Sequence, residues 1–294
     1  MEMITPENRW IVNKGLSSIN NKFFSALIEK QSFSLKLNEK PLDQIGVAFY
    51  ITPLINALIR VGSPLEKERL FEAFITPDVL VPSTKRGEKG QQETICTQAA
   101  RNCINAKSRQ TRERDKAADL LDIQILNNNL NDNKILILDA GDLNVSNNLT
   151  GLCAMGVAAK YKKPVLLGRI TPDGKEMKGS IRNKDGSPLK DLKSFLMDSG
   201  LMSYVEGHAN AAGWGCPVSN INKLIEYANR ELANVDFSEG SYDVDFICES
   251  KDDYISDLIY TLEPGSEFWG QGNPEAIIAI KNITINAAAL SVIG

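Results

Sequence analysis

The chain has little of what a self-contained metal hydrolase needs. Its 294 residues include one histidine, His208, and five scattered cysteines (Cys96, Cys103, Cys153, Cys216, Cys248), none in a C-x-x-C pair. Histidine is the commonest metal ligand and general base, so counting alone disfavours a histidine-rich metal centre, although not an all-carboxylate one. An odd, unclustered set of cysteines argues against a disulfide framework or a zinc ribbon. Long hydrophobic runs are also missing. The longest, Ile45–Ile59, is interrupted by Thr52, Pro53 and Asn56, and it reads as too short and too broken to span a bilayer. The start, MEMITPENRW, lacks the basic residues and apolar core of a signal peptide. The expectation is a soluble, cytoplasmic chain with no membrane partner. Neither sign of charge dominates, with 33 Lys and Arg against 37 Asp and Glu. A composition 43% hydrophobic and 24% charged excludes wholesale disorder.

What is present divides into segments. Residues 1–83 read as helical, with apolar positions from Trp10 to Leu27 at three- and four-residue spacings and Gly15 as a helix end or turn. Asp43 is placed to cap a second helix, and Pro64 to open a third. Residues 77–90 have loop composition. Residues 91–127 hold no proline or glycine and read as one long polar helix. From Lys85 to Lys116 there are nine Lys or Arg (Lys89 among them) against four acids. That stretch is either a solvated linker helix or a positive wall facing a polyanion.

Residues 134–139 then read as a buried strand, 150–160 as a helix and 163–169 as a second strand. That order predicts a parallel pair with a right-handed crossover. A strand at 178–183 and helices at 189–199 and 220–233 complete one α/β domain. The tail predicts a strand over 242–248, a helix over 252–262 and apolar β-leaning runs at 276–285 and 289–293. Its stop at Gly294 straight after such a run suggests a sheet that lacks strands.

Several places could carry chemistry. In Gly207-His208-Ala-Asn-Ala211-Ala212-Gly213, small residues flank the histidine, which lets backbone approach a ligand closely. A helix is expected a few residues later, and amides near a helix start suit phosphate. Tight packing around a satisfied polar His208 explains the same residues. Arg182, ending Lys178-Gly-Ser-Ile-Arg182, could aim a guanidinium at phosphate, or it could be a surface arginine. Thr150 and Gly151 open a helix and could offer amides to an anion, although capping by Asn147 or Asn148 accounts for them too. Asn56 and Arg60, four apart, share a helix face. Asp139 and Asp142 are too few to make a metal site.

In this order, these segments resemble one family. Gly207-His208 with Ala211-Ala212-Gly213 resembles the G-H-x-x-A-A-G motif of the DHH-associated domain of RecJ-like single-strand-specific exonucleases. Pro53-Leu-Ile-Asn56-Ala57-Leu-Ile-Arg60 is similar to the family's P-x-x-N-A-x-x-R helix. Lys178-Gly179-Ser180-Ile181-Arg182 resembles its substrate-binding strand, and Leu262 to Glu275 resembles its L-x-P-x-G-x-G-N-P-E segment with a three-residue expansion. The similarity runs almost end to end. It departs in three ways: the family's Asp-His-His does not occur, its Trp-His-Pro-Gly is replaced by Asp142 to Leu149, and one glycine before the histidine has become Glu206. A carboxylate there would repel phosphate if it pointed inward, and it is expected to point out.

The resemblance implies an α/β fold. A helical remnant of the end of a DHH domain (1–83) and a basic loop with a linker helix (84–133) lead into the DHH-associated substrate-binding domain (134–238) and the start of an OB-like domain (239–294). It implies the substrate-binding C-terminal part of a 5′–3′ single-stranded DNA exonuclease, with the catalytic DHH domain absent. No catalytic or metal-binding residue is then expected on this chain, which alone would be inactive. The divalent metal, Mn2+ or Mg2+, belongs to the DHH domain. Asn56, Arg60, Thr150, Gly151, Arg182, Gly207, His208, Ala211, Ala212 and Gly213 would hold the 5′ end and nearby phosphates. Trp214 or Trp269 would stack on bases. The expected partners are single-stranded DNA, a separate DHH catalytic chain and a single-strand-binding protein. The alternatives are a non-catalytic single-strand-binding or accessory subunit, a phosphodiesterase part acting on short oligonucleotides or cyclic dinucleotides, and a structural fold kept for protein contacts.

Overall fold

The computed structural model describes residues 2–38, 40–88, 90–143, 146–238, 243–262, 268–284 and 286. Helix α1 (Pro6–Leu16) starts where the Thr5 hydroxyl accepts the Asn8 amide and Pro6 supplies a preset φ. It ends just past Gly15. Asn21 then caps α2 (Lys22–Lys30) by accepting the Phe24 amide at 3.0 Å. The single amphipathic stretch is thus two helices. Asp43 caps α3 (Gln44–Gly46), its carboxylate accepting the Gly46 amide at 2.6 Å. A π-helical turn, Val47–Ile51, joins α3 to α4 (Thr52–Val61). Pro53 lies just beyond this turn and brings no N–H to the helical ladder. From Gln44 to Val61 the run is 18 residues long with a mean hydropathy of 1.4, enough by length and composition to cross a membrane. This corrects the expectation that it is too short. Ile51, Leu54, Ala57 and Leu58 in this run are nonetheless buried.

Helix α5 (Pro64–Ile75) opens with a reciprocal cap: Glu66 accepts from the Ser63 amide, and Ser63 accepts from the Glu66 amide. The expected loop at 77–90 holds one side of a small hairpin, β1 (Leu80–Pro82) antiparallel to β2 (Gln92–Thr94). Helix α6 (Ile95–Asn127) follows, 33 residues long. The remaining elements are β3 (Leu136–Asp139), α7 (Thr150–Tyr161), β4 (Val165–Ile170), β5 (Glu176–Arg182) and α8 (Leu192–Asp198). After them come β6 (Tyr204–His208), β7 (Ala211–Pro217), α9 (Ile221–Glu231), β8 (Phe246–Glu249), α10 (Ile255–Leu262) and β9 (Ile278–Lys281).

These elements form two compact units. One comprises residues 1–55, 68–101 and 243–294. In it Phe23, Phe24 and Phe74 form an aromatic cluster with ring centroids 4.9–5.7 Å apart. Its β8 and β9 pair in parallel. The expected apolar run at 289–293 lies outside the described residues.

The other unit comprises 56–67 and 102–242 and is built on a five-stranded sheet of order β3-β4-β5-β7-β6. Strands β3 and β4 are parallel and joined through α7, as the sequence pattern predicted; the other pairings are antiparallel. Strand alternation sends Leu136, Leu138, Val165 and Leu167 to one face, where α7 and the C-terminal half of α6 bury them. Ile135, Leu166, Ile181, Ala212 and Trp214 go to the other, under α8 and α9. Residues 204–217 form a hairpin, not a loop leading into a helix. The two turn residues are Ala209 and Asn210, so the Gly207–Gly213 segment lies in the sheet, away from the amides that open α9.

Candidate phosphate-binding site

The strand register assembles the site. Arg182 on β5 pairs with Ala211 on β7, and Ala211 pairs with His208 on β6. Directly paired residues of antiparallel strands share a face, so these three form one row. The next row is Ser180, Gly213 and Glu206, and the third is Lys178, Gly215 and Tyr204. The middle of this face is therefore floored by alanine and glycine. A side-chain carbon added at Gly213 would meet nothing closer than two carbonyl oxygens at 3.8 Å, whereas the Tyr204 ring already covers Gly215. Glu206 and His208 are both exposed. Because strand side chains repeat every two residues, Glu206 shares the face of His208 and Arg182. This corrects the expectation that it points away.

The N-terminus of α7 lies over β5. The Thr150 hydroxyl donates to the Asn147 carbonyl at 2.9 Å and sits 3.1 Å from the Ser180 hydroxyl. Gly151 packs against the Arg182 guanidinium: a Cβ there would stand 2.5 Å from Nη2 and 3.1 Å from Cζ. The glycine is thus what lets Arg182 lie along the helix start. The Thr150 amide is used within the chain, donating to the Asn147 carbonyl through a short 3-10 turn. It is not free for an anion, which corrects that part of the sequence reading.

Arg182 is half-buried and donates to the Ile181 carbonyl at 2.6 Å. Burial, and then the like charge of Arg60, push its guanidinium below the ordinary arginine range. Arg60 and Asn56 lie on α4, both exposed, and the Arg60 carbonyl accepts from the Asn148 side chain at 3.4 Å. Among the described residues neither Arg60 nor Arg182 makes an ion pair. Two guanidinium groups of like charge, neither in an ion pair among the described residues, favour an anion with several acceptor oxygens.

The structure adds residues that the sequence reading missed. Asn210, in the hairpin turn, accepts from the Asn183 side chain at 2.9 Å and donates to the Lys190 carbonyl at 2.9 Å. Lys193 donates its amide to the Ala209 carbonyl and its ammonium to the Gly207 carbonyl. These bonds hold the His208 turn in place. An asparagine between two strands was the available signal. Beside Thr150 and Ser180 opens a cleft of about 530 Å³ lined also by Asn147, Arg169, Thr171 and Lys178. Arg169 is fixed there by donating Nε to the Ala140 carbonyl at 2.9 Å and Nη1 to the Asn147 side chain.

Other candidates fare differently. The basic stretch is partly neutralised: Arg101 pairs with Glu93, Arg109 with Glu66, Arg114 with Asp115 and Lys85 with Glu88. Lys89 lies outside the described residues. Trp214 is fully buried, and Trp269 is half-buried with its indole donating to the Leu262 carbonyl. Neither is presented for stacking. The Asp139 carboxylate accepts the Gly141 amide at 2.8 Å, as a turn-forming aspartate does. The Asp142 side chain lies outside the described residues, as do 263–267 of the Leu262 to Glu275 segment. Among the described residues no group of three or more His, Cys, Asp or Glu is gathered to hold a metal ion. The metal implied by the resemblance therefore finds no ligand set there.

Two curated relatives match over 291 residues at 35% identity, covering 98% of this chain and 50% of their own length. One is named an SPbeta prophage-derived single-strand DNA-specific exonuclease, YorK, of Bacillus subtilis strain 168, and the other is its counterpart in Bacillus phage SPbeta; both designations are provisional. The fold matches crystal structures of RecJ from Thermus thermophilus. The complex with Mn2+ gives a TM-score of 0.61 at 17% identity, over 93% of this chain and 36% of that one. The complex with Mg2+ gives 0.59 at 18% identity, over 92% and 38%. The fold is RecJ-like. No family model matches it. It spans about half the length of the curated relatives it matches. Within this RecJ-like frame, Glu206 beside Gly207 is the departure that falls inside the candidate site.

Proposed function

We propose that this chain is the substrate-binding part of a single-strand DNA-specific exonuclease of the RecJ type. The observation that carries the reading is the Arg182 guanidinium, laid against Gly151, opposed by the like charge of Arg60 and in no ion pair among the described residues. A terminal phosphate offers several oxygens to such a pair, and its charge relieves their repulsion. His208, in the same row as Arg182, adds a hydrogen bond from the far side of the alanine and glycine floor. Asn56 shares a face of α4 with Arg60. Ser180 and the adjoining cleft, lined by Arg169 and by Lys178 in its ion pair with Glu176, offer further hydrogen-bond donors for the following phosphates. The 5′ end is the proposed occupant, and 5′–3′ the proposed polarity.

In this reading phosphodiester hydrolysis, with its Mn2+ or Mg2+, belongs to a DHH catalytic half on a separate segment or chain, and this chain alone holds the strand without cutting it. Residues 239–294 are read as the start of an OB-like domain, a single-strand-binding protein as a further partner, and the cytoplasm as the place of action. The test is fluorescence anisotropy with a 5′-phosphorylated single-stranded oligonucleotide. Arg182→Ala and His208→Ala are expected to weaken binding about tenfold or more, the worth of a hydrogen bond to a charged group. Variants that bind like the wild-type chain would overturn the assignment.

A further inference from the structure

The sequence pointed to Trp214 and Trp269 as base-stacking groups, and the structure offers neither. It offers Trp10, whose surface is 68% exposed, on the face of α1 that also carries Arg9, Asn13 and Lys14. Across a cleft of about 470 Å³ stands Phe268, itself 53% exposed, with the Arg9 guanidinium 5.5 Å above its ring centroid. That volume lies in the range of small-ligand clefts, roughly 300–1,000 Å³. Among the described residues neither Arg9 nor Lys14 makes an ion pair. Glu7 is the only acid on α1, and it does not line the cleft.

The two walls are tied together by the Gly270–Asn273 turn, whose glycines have no other part in the proposed function. Gly270 and Asn273 exchange backbone hydrogen bonds at 2.8 and 3.0 Å, and the Asn273 side chain donates to the Phe268 carbonyl at 2.7 Å. The Met3 amide donates to the Gln271 carbonyl at 2.7 Å. Gly270 and Gly272 have φ of +150° and +81°; side chains there would run into Met3 and Ile4, the residues leading into α1. The glycines let Phe268 sit beside α1, so the cleft is built before any ligand arrives.

Two exposed rings with uncompensated cations around them are the elements of a single-strand stacking platform: the rings take the flat faces of bases, the cations the backbone. We infer that the cleft between Trp10 and Phe268 is a stacking site for an unpaired nucleobase, a second point of attachment for a single strand besides the Arg182 site. The inference rests on the single-strand reading of the proposed function.

The test uses the full chain and a short dye-labelled oligo(dT), beside a strand of the same length made of abasic sugar-phosphates. Trp10→Ala is expected to weaken oligo(dT) binding roughly ten- to hundredfold, the cost of a lost base stack, while Trp10→Phe stays within a few-fold. On the abasic strand Trp10→Ala and the wild-type chain should bind alike, which separates stacking from misfolding. Trp10→Ala that binds oligo(dT) like the wild type, while Arg182→Ala does not, overturns the stacking site and leaves the phosphate site standing. Loss in Trp10→Ala with Arg182→Ala unaffected upholds the stacking site and removes the phosphate site. Equal losses on both strands, or no binding by the wild-type chain, overturn the stacking site.

Discussion

Replacing Gly151 by alanine should separate binding from stability. The added methyl would stand 2.5 Å from Arg182 Nη2, closer than side-chain carbons are found in proteins, so the guanidinium must move. The cost to the fold is small, because the atoms displaced are the far end of a long side chain rather than backbone. Against it stands the helix preference of alanine over glycine, about 0.8–1 kcal/mol in a helix interior and less in this first turn. The melting temperature should stay within about 4 °C of the wild type, since 1 kcal/mol shifts a unit of this size by roughly 2–4 °C. Binding is different. Arg182 would lose the position from which it meets the anion, and a hydrogen bond to a charged group is worth about 1.5–3 kcal/mol, or roughly ten- to hundredfold in affinity. Thermal melting by circular dichroism and anisotropy with a 5′-phosphorylated oligonucleotide read the two effects separately. A Gly151→Ala protein that melts normally and binds normally, while Arg182→Ala fails to bind, would refute the placement of Arg182 against the helix. A collapse of the fold would refute the claim that only a side-chain end is displaced.

Gly207→Ala should destabilise by about 1–3 kcal/mol, because φ is +138° and the new methyl would lie 2.8 Å from the Ala212 Cα; a urea melt checks this. Glu93 is held at a pKa of about 2, first by its hydrogen bonds from Arg101. Its contribution is present above the ordinary carboxylate value and is lost as pH falls toward 2. Glu93→Gln should therefore cost about 1–3 kcal/mol at pH 7, and the gap from wild type should narrow steadily in melts taken from pH 5 down to pH 2. In a salt titration log K should fall linearly with log salt, with a slope of about −0.7 per phosphate neutralised, and Arg182→Ala should flatten the slope by about that amount. A slope that Arg182→Ala leaves unchanged would count against phosphate contact by that residue.

The α/β core was legible because buried strands announce themselves as short apolar runs between turn residues. Lys134 to Gly141 and Lys163 to Arg169 gave β3 and β4, and the alanine-rich stretch between them gave α7. The Asp43 cap and the helix start at Pro64 were equally plain, since both are local matters of a single residue at a helix end. The hairpin at Gly207–Gly213 was not legible as such. Glycine and alanine carry almost no strand preference, so nothing local distinguishes a flat sheet floor from a loop before a helix. Glu206 was misjudged for the same reason: which way it points depends on register, and register is set by the pairing of β7 with β5. The like charges of Arg60 on α4 and Arg182 on β5 act on each other only because the fold brings those elements together. The basic charge between Lys85 and Lys116 was counted correctly, Glu93 among its acids, but Glu66, which pairs with Arg109, comes from another helix.

The most direct test of the account compares one single-stranded oligonucleotide with and without its 5′ phosphate, bound to the wild-type chain and to Arg182→Ala. The account predicts that the wild-type chain prefers the phosphorylated strand by about tenfold or more and that Arg182→Ala shows no preference. Equal binding of the two strands by the wild-type chain, or a preference that survives in Arg182→Ala, would contradict it.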